Sequence, residues 1–241
     1  MTKQDSVFQT KAAANMPKDE IISYILTLPR GSSRLEKLGE PILFPKNHIL
    51  VKAGQRTQYC YVLKKGRVIT YEYSPSGEER IYHFQEKGSI FLESNLLFDR
   101  PVPVGFKTTC STEVIRIDKT TLLKAIKTDP QIALDIIESN SMKFFASMEQ
   151  VRQFKSYNAS WKICNLLLVF AQHYGVPYDD KILIKEKISQ QLLSSMLGIN
   201  RITAVRAIKE LKDMALIEQI NGYYCIRDME RLKKHQQLMD K

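Results

Sequence analysis

The side chains with the clearest chemistry are the cations between residues 200 and 212. Arg201, Arg206, Lys209 and Lys212 stand there against a single carboxylate, Glu210. An arginine guanidinium can donate two parallel hydrogen bonds to a guanine edge or to a phosphate. Helical spacing places most of these cations on one face and leaves an apolar face for a core. The pattern predicts a helix that reads DNA.

Two short helices joined by a tight turn are predicted to position these cations. Ser189 and Asn200 are expected to cap the helices, because each side chain can accept a hydrogen bond from an unpaired backbone N–H. Gly198 is expected to end the first helix, since glycine tolerates a left-handed backbone. The alternative is an ordinary helical hairpin with a solvated basic face. The predicted DNA-contacting residues are Ser189, Asn200, Arg201, Ile202, Thr203, Val205, Arg206 and Lys209.

A two-residue turn after the second helix favours a DNA-binding domain over an ordinary pair of packed helices. Asn221-Gly222 separates the apolar runs 217–220 and 223–226. Asn-Gly between such runs is the strongest short signal for a β-hairpin. A helix-turn-helix followed directly by a hairpin is a winged helix, whose wing lies along the phosphate backbone. Asp228 is expected to cap a last helix over about 229–239.

Composition and charge limit the class of protein. The chain has 241 residues, a net charge of +10 and a pI of about 9.3, which favours a polyanionic partner. No apolar run approaches the roughly 20 residues of a membrane span, and no signal-peptide core is visible. A cytoplasmic protein with no membrane partner is therefore expected. The scattered Cys60, Cys110, Cys164 and Cys225 predict reduced thiols.

Regularly spaced turns mark the N-terminal half as a region of β-strands. Gly54, Gly66, Gly77 and Gly88 recur at intervals of 11 or 12 residues. Between them, β-branched and aromatic residues alternate with polar ones, as in a half-buried strand. Short strands with this spacing predict an all-β barrel or jelly roll.

A long helix is predicted from about 129 to 153, after a short helix that stops before Pro130. Its apolar residues recur at alternating intervals of four and three, which is the rhythm of a coiled coil. A core-facing helix of a monomer is the alternative to a dimer seam. The residues 156–160, SYNAS, are interpreted as a hinge. The predicted dimerisation residues are Ile137, Ser141, Phe144, Met148 and Val151.

An enzyme is disfavoured by the residues that catalysis would need. β-Rolls also occur in metalloenzymes, which need clustered histidine and carboxylate ligands. His48, His83, His173 and His235 contain no His-x-His pair, and no glycine-rich phosphate loop or GxSxG motif is present. The sequence therefore predicts no catalytic residue and no metal site.

The order of these elements resembles the Crp/Fnr family of bacterial transcription regulators over about residues 35–232. The motifs that carry the resemblance are KKGRV, EKGSIFLESNLLF and LLSSMLGINRITAVRAIKEL. The resemblance implies an α+β chain with a cyclic-nucleotide-binding-like β-roll (jelly roll), a long dimerisation helix and a C-terminal winged helix-turn-helix. It also implies a homodimer on inverted-repeat DNA, an effector in the roll, and recruitment or blocking of RNA polymerase.

The chain departs from the members of this family that bind cyclic AMP. Those members use a Gly-Glu pair for the ribose and an Arg-Ser pair for the phosphate. Here Leu92 precedes Glu93, and Val102 and Pro103 stand where Arg and Ser would be. A cyclic phosphate needs a cation and hydrogen-bond donors. Arg100, two residues out of register, keeps gating by a cyclic nucleotide as an alternative.

The remaining pattern resembles the anaerobic halorespiration branch, whose members bind chlorinated phenols or similar aromatics. This resemblance implies a small aromatic or largely apolar effector. No bound cofactor is expected, because the clustered N-terminal cysteines that hold an iron–sulfur cluster in the oxygen-sensing branch are missing before Cys60. Ligand-independent control, with these residues as plain roll core, and control through a cysteine thiol are alternatives. The predicted effector-binding residues are Phe91, Leu92, Glu93, Ser94, Val102, Pro103, Val104, Phe144 and Met148.

The resemblance also gives an expectation for DNA sequence. The cyclic-AMP branch carries Arg, Glu and Arg where this chain has Arg201, Ile202 and Arg206. Loss of the glutamate removes an acceptor for the amino group of cytosine, and isoleucine favours a thymine methyl. We therefore expect half-sites richer in A and T than the TGTGA type.

These observations divide the chain into four segments. Residues 1–32 are a lead-in segment, with either a short helix around 18–28 or partial disorder. Residues 33–128 form the effector-sensing roll, and 129–155 the dimerisation helix. Residues 156–241 form the DNA-binding domain.

Overall fold

The strands of the N-terminal part form a β-roll of two sheets. The computed structural model describes residues 26–27, 33–75 and 77–239. The roll strands are β1 (Leu26–Thr27), β2 (Glu40–Phe44), β3 (Ile49–Val51), β4 (Tyr59–Lys65), β5 (Val68–Tyr73), β6 (Glu79–Gln85), β7 (Ile90–Phe91), β8 (Gly105–Thr108) and β9 (Thr112–Asp118).

The roll confirms the predicted β architecture. One sheet has the order β1-β6-β5-β8-β3 and the other β2-β9-β4-β7. All described pairs are antiparallel except β1 with β6. Val68 and Phe106 from the first sheet pack with Phe91 and Val114 from the second. The apolar residues of the alternating strands thus meet between the two sheets.

The turn within KKGRV requires its glycine. Gly66 has a φ of +92°, in the left-handed region that side chains rarely adopt. A Cβ there would lie 2.6 Å from the carbonyl oxygen of Ser111. The connection from β4 to β5 therefore depends on a residue without a side chain.

For residues 1–32 the sequence analysis leaves two possibilities, a lead-in helix around 18–28 or partial disorder. Leu26 and Thr27 instead form β1, paired in parallel with Phe84 and Gln85 of β6. The helix prediction is wrong at these two residues, because the backbone edge of β6 provides hydrogen-bond partners that a local sequence pattern does not show. The rest of the segment lies outside the described residues.

The helices are α1 (Glu93–Leu97), α2 (Lys119–Thr128), α3 (Pro130–Ser156), α4 (Ala159–Tyr174), α5 (Gln190–Leu197), α6 (Arg201–Asp213) and α7 (Met229–Leu238). Three of them, α5, α6 and α7, begin directly after the predicted caps Ser189, Asn200 and Asp228. Asp129 caps α3 by accepting a hydrogen bond from the N–H of Gln131, with Pro130 in the first turn. Within the described ranges, no helix is long and apolar enough to cross a membrane.

The linker between the long helix and the C-terminal domain is shorter than expected. The helix α3 continues to Ser156, and α4 already begins at Ala159. Asn158 caps α4 by accepting a hydrogen bond from the N–H of Trp161 at 2.9 Å. The predicted hinge at 156–160 is therefore reduced to Tyr157 and Asn158, because the asparagine starts the next helix at once.

The C-terminal sheet has four strands, β10 (Gly175–Tyr178), β11 (Lys181–Ile184), β12 (Ile217–Ile220) and β13 (Tyr223–Ile226), in the order β10-β11-β13-β12. The predicted hairpin around Asn221-Gly222 is confirmed. The hairpin of β10 and β11 was not predicted. Its first strand contains Pro177, which disfavours a strand, and its turn uses Asp179 at a φ of 52° in place of Asn-Gly.

Helix α4 lies at the centre of the molecule. Each residue from Trp161 to Ala171 is buried. The roll contributes Ile69, Tyr71 and Phe84 to the same core cluster, and the rings of Phe84 and Phe170 meet edge to face at 6.5 Å. A helix that is buried on all sides needs packing partners all round. Here the roll supplies one side and the DNA-binding domain the others.

Candidate DNA-binding surface and effector region

The helix-turn-helix is built by the local contacts that its sequence predicts. Ser189 accepts a hydrogen bond from the N–H of Leu192 at 3.0 Å, and Asn200 accepts one from the N–H of Ile202 at 2.7 Å. Gly198 ends α5 with a φ of 59°. The left-handed residue and the second cap reverse the chain within three residues, 198–200. The start of α6 is thereby fixed at Arg201.

One face of α6 is buried and the other is open. Ala204, Ala207, Ile208 and Leu211 are at most 3% exposed. The open face carries Arg201, Ile202, Thr203, Val205, Arg206 and Lys209. Among the residues that the structure describes, no carboxylate oxygen lies within salt-bridge distance of the three cations on this face. Their charge is therefore available to a phosphate or a base.

A cleft of about 540 Å³ joins the start of α5, the start of α6 and the wing. Of the predicted residues, Ser189 and Arg201 line it. Sequence reasoning missed four further polar side chains in the lining, namely Lys187, Gln190, Gln191 and Gln219. Lys187, Gln190 and Gln191 lie next to Ser189 in the sequence, which could have indicated their place in the cleft. Gln219 reaches the cleft only through the pairing of β12 with β13.

The predicted dimerisation residues lie on an exposed side of α3. Ile137, Phe144, Met148 and Val151 are between 49% and 61% exposed, and Ser141 is also exposed. Sequence reasoning missed three apolar neighbours on this surface, Leu134, Phe145 and Phe154, which are 43% to 61% exposed. We call these eight residues the α3 seam. So large an exposed apolar surface is typical of an interface.

The predicted effector residues divide into buried and exposed groups. Phe91, Leu92, Glu93 and Val102 are at most 3% exposed. Ser94 and Val104 are half-buried, while Pro103 faces solvent. Phe144 and Met148 were expected to close this region from α3, but within one protomer they are 61% and 55% exposed. The contact of these two side chains with an effector stays a prediction.

Leu92 occupies a backbone conformation that suits glycine. Its φ is +66°, directly before α1. For a residue with a side chain this conformation costs about 1–2 kcal/mol. The side chain is buried with Phe91 and Val102 in the roll core. The turn has therefore kept the geometry of a glycine turn, while leucine fills space that glycine would leave open.

A buried ion pair joins the roll to the long helix. Lys143 of α3 donates hydrogen bonds to the Glu93 carboxylate at 2.5 Å and to the Ile90 carbonyl at 2.7 Å. Ser94 donates to the side-chain oxygen of Asn140 at 3.2 Å. Sequence reasoning missed Lys143 and Asn140, which lie about 50 residues from their partners. These contacts connect α3 directly to α1 and to β7.

A second ionic cluster joins the roll to the DNA-binding domain. Arg67 donates to Glu86 and to Glu186, each at 2.9 Å, and to the hydroxyl of Tyr174 at 3.1 Å. Burial lowers the pKa of Arg67, but the charges of Glu86 and Glu186 outweigh it and hold that pKa above its usual range. Burial also raises the pKa of Tyr174. Arg67 therefore remains charged and restrains the two domains.

Three of the four cysteines are poor candidates for redox control. Cys60, Cys164 and Cys225 are buried. Burial raises the pKa of Cys60 and that of Cys164 to about 12 each. Since the thiolate is the reactive form, these thiols are unreactive near neutral pH. Only Cys110 is exposed, and the thiol-controlled alternative depends on it.

Comparison with known proteins matches both halves of the chain. Residues 41–129 match the cyclic nucleotide-binding domain, and residues 162–235 the Crp-like helix-turn-helix domain. The cAMP-activated global transcriptional regulator CRP of Haemophilus influenzae is 25% identical over 90% of this chain and 92% of its own.

Solved structures share the fold. A CooA mutant from Carboxydothermus hydrogenoformans is 17% identical, with a TM-score of 0.72 over 85% of this chain and 90% of its own. CprK complexed with OCPA is 16% identical, with a TM-score of 0.68 over 88% of this chain and 99% of its own. With the two domains matched in this order, the chain belongs to the Crp/Fnr family of DNA-binding transcription regulators.

Proposed function

We propose that this chain is a homodimeric regulator that binds inverted-repeat DNA and is gated by a small aromatic or largely apolar effector in the β-roll. In this proposal residues 33–128 sense the effector, 129–155 dimerise and 156–241 bind DNA. The DNA-bound dimer recruits or blocks RNA polymerase.

The observation that carries the proposal is the open face of α6. Arg201, Arg206 and Lys209 are exposed there beside Ile202 and Val205, which are 62% and 37% exposed. Ile202 and Val205 thus offer an apolar contact surface between the cations. Cations next to apolar groups match the major groove, where phosphates and guanines border thymine methyls.

The α3 seam supports the dimer. Its five predicted members, from Ile137 to Val151, recur at alternating intervals of four and three residues within the 27 residues of α3. A second copy related by a two-fold axis would present the same seam and cover it. Two recognition helices placed by such an axis suit an inverted repeat.

The effector class rests on the lining of the roll and on the resemblance to the halorespiration branch. Phe91, Leu92 and Val102 are apolar where a cyclic nucleotide would need donors. A ligand-independent regulator is the second candidate. The tight packing favours it, since Phe91 stacks on Tyr61 at 5.5 Å and on Phe106 at 5.8 Å.

Selection of bound sequences from random DNA tests the proposal. We expect an inverted repeat whose half-sites are richer in A and T than TGTGA, because Ile202 contacts thymine methyls. Recovery of TGTGA half-sites would show that Ile202 does not read the base. Recovery of no repeat would contradict the dimer.

The selected site then serves to test gating. Its affinity is measured alone and with small aromatic acids, halogenated phenols and cyclic nucleotides. Tightening by an aromatic compound alone supports the proposed effector. Tightening by a cyclic nucleotide would instead support gating by a cyclic nucleotide. Equal affinity under all conditions would support the ligand-independent candidate.

Removal of the Arg206 guanidinium is expected to weaken and broaden DNA recognition. A bidentate contact to guanine discriminates by about 1–3 kcal/mol. Arg206→Ala should therefore lose affinity for the selected site and tolerate a changed base pair. Arg231→Ala removes another exposed cation, on α7, and serves as the control. If both variants lost the same affinity for DNA and kept the native base preference, Arg206 would contribute only its charge and would not recognise a base.

A further inference from the structure

A line of hydrogen-bonded side chains runs through three helices near the linker. Gln236 of α7 donates to the side-chain oxygen of Asn165 on α4 at 3.1 Å. Asn165 donates to Gln153 of α3 at 3.3 Å, and Gln153 donates to Glu149 at 2.7 Å. We call Glu149, Gln153, Asn165 and Gln236 the amide ladder.

The ladder is shielded from water. Its members are 8%, 2%, 4% and 7% exposed in chain order. A buried amide that loses its partner costs about 1–3 kcal/mol, because water cannot replace the bond. Hydrogen bonds are also directional, whereas apolar contacts tolerate sliding. The ladder therefore holds the three helices in one relative orientation.

A second set of contacts holds the linker itself. Arg152 donates to both oxygens of Glu149, at 2.6 and 2.7 Å, and to the hydroxyl of Tyr157 at 2.6 Å. The ring of Tyr157 stacks on Trp161 with centroids 3.7 Å apart. The carboxylate at the end of the ladder is thus paired, and the two-residue linker is fixed at its first residue.

The orientation of α4 decides that of the recognition helix. Helix α4 packs against both α6 and α7. A fixed angle between α3 and α4 therefore becomes a fixed angle between the α3 seam and the open face of α6. We propose that the amide ladder sets the half-site spacing that the dimer accepts, and that Gln153 and Asn165 are the positioning residues. This inference rests on the proposed dimer.

Spacing is a sensitive measure of such rigidity. One added base pair rotates one half-site by about 35° relative to the other. Rigidly held recognition helices cannot follow that rotation, so binding must weaken. Helices on a loosened linkage can follow it, and the loss becomes small.

The test compares the native chain with a variant whose three amides are apolar and of similar size, Gln153→Met/Asn165→Leu/Gln236→Met. Glu149 keeps both hydrogen bonds from Arg152, and no amide of the ladder is left without a partner. Affinity is measured for the selected inverted repeat and for versions with one base pair added or removed. Binding to an isolated half-site and thermal unfolding are measured in parallel.

We expect the native chain to lose about tenfold or more in affinity for each altered spacing and the variant to lose less than about threefold. Half-site affinity should be unchanged. Stability should not fall, since replacing hydrogen-bonded polar partners together by apolar residues of similar volume is often neutral. The control Gln237→Met changes an exposed glutamine of α7 and should show the same spacing preference as the native chain.

Unaltered spacing discrimination in the folded variant overturns the inference. If the triple variant does not fold, Gln153→Met alone breaks the link between α3 and α4 and must show the same tolerance, or the inference fails. If the native chain bound the inverted repeat no better than one half-site, the proposed dimer would be contradicted. This result distinguishes failure of the dimer from failure of the amide-ladder inference.

Discussion

Phe144→Glu is expected to separate the dimer into single chains and to remove its preference for inverted repeats. Phe144 is 61% exposed at the centre of the α3 seam, with its ring 5.9 Å from that of Phe145. Across a two-fold axis the new carboxylate would meet its own copy in an apolar surface. Linked binding of two half-sites contributes about 10²–10⁴ in affinity, so affinity should fall by about that factor.

Light scattering and DNA titration measure the two effects together. The mass should fall from that of two chains to 27.9 kDa. The control Phe98→Glu introduces the same charge at a position outside the α3 seam, where the phenylalanine is 73% exposed. This variant should remain a dimer. A dimer of Phe144→Glu that still binds the repeat tightly would show that α3 is not the interface.

Lys143→Met is expected to destabilise the fold by about 3–5 kcal/mol, because it leaves a buried carboxylate without its cation. Glu93 is 1% exposed, and Lys143 supplies its ion pair. The double variant Glu93→Gln/Lys143→Met removes both charges and should recover most of the loss. The free energy of unfolding, measured in urea for the native, single and double variants, gives the coupling between the two residues.

A matched change shows whether the loss belongs to the ion pair. Lys124→Met alters an exposed lysine of α2 and should change the free energy of unfolding by at most about 0.5 kcal/mol. If Lys143→Met behaved like Lys124→Met, the pair would contribute nothing to stability. If the double variant were no more stable than Lys143→Met, the carboxylate would not be the cause.

The parts of the structure that sequence predicts best depend on neighbours in the chain. Ser189, Gly198 and Asn200 act on backbone groups within a few residues, so their types are sufficient to locate both helices. Asn221 and Gly222 likewise form their turn by local conformation alone, with φ values of 50° and 84°. The face of α6 that carries Arg201 and Arg206 follows from helical periodicity once the start is known.

The contacts between domains could not be predicted in this way. Arg67 and Glu186 are 119 residues apart, and Lys143 and Glu93 are 50 apart. Many carboxylates are available to each cation, and only the folded chain selects one. The length of the linker depends on whether Asn158 caps α4 or belongs to a loop, and asparagine is common in both positions.

The burial of α4 on all sides has a consequence for the exchange of modules between regulators. The roll and the DNA-binding domain are joined through α3, but they also meet directly at α4. In this chain the surface of β5 and β6, with Tyr71 and Phe84, fits against Phe170. A roll from another protein joined at Tyr157 would meet α4 with different side chains and leave cavities or clashes. We therefore expect a foreign roll to destabilise such a fusion, whereas substitutions on the open face of α6 leave this packing intact.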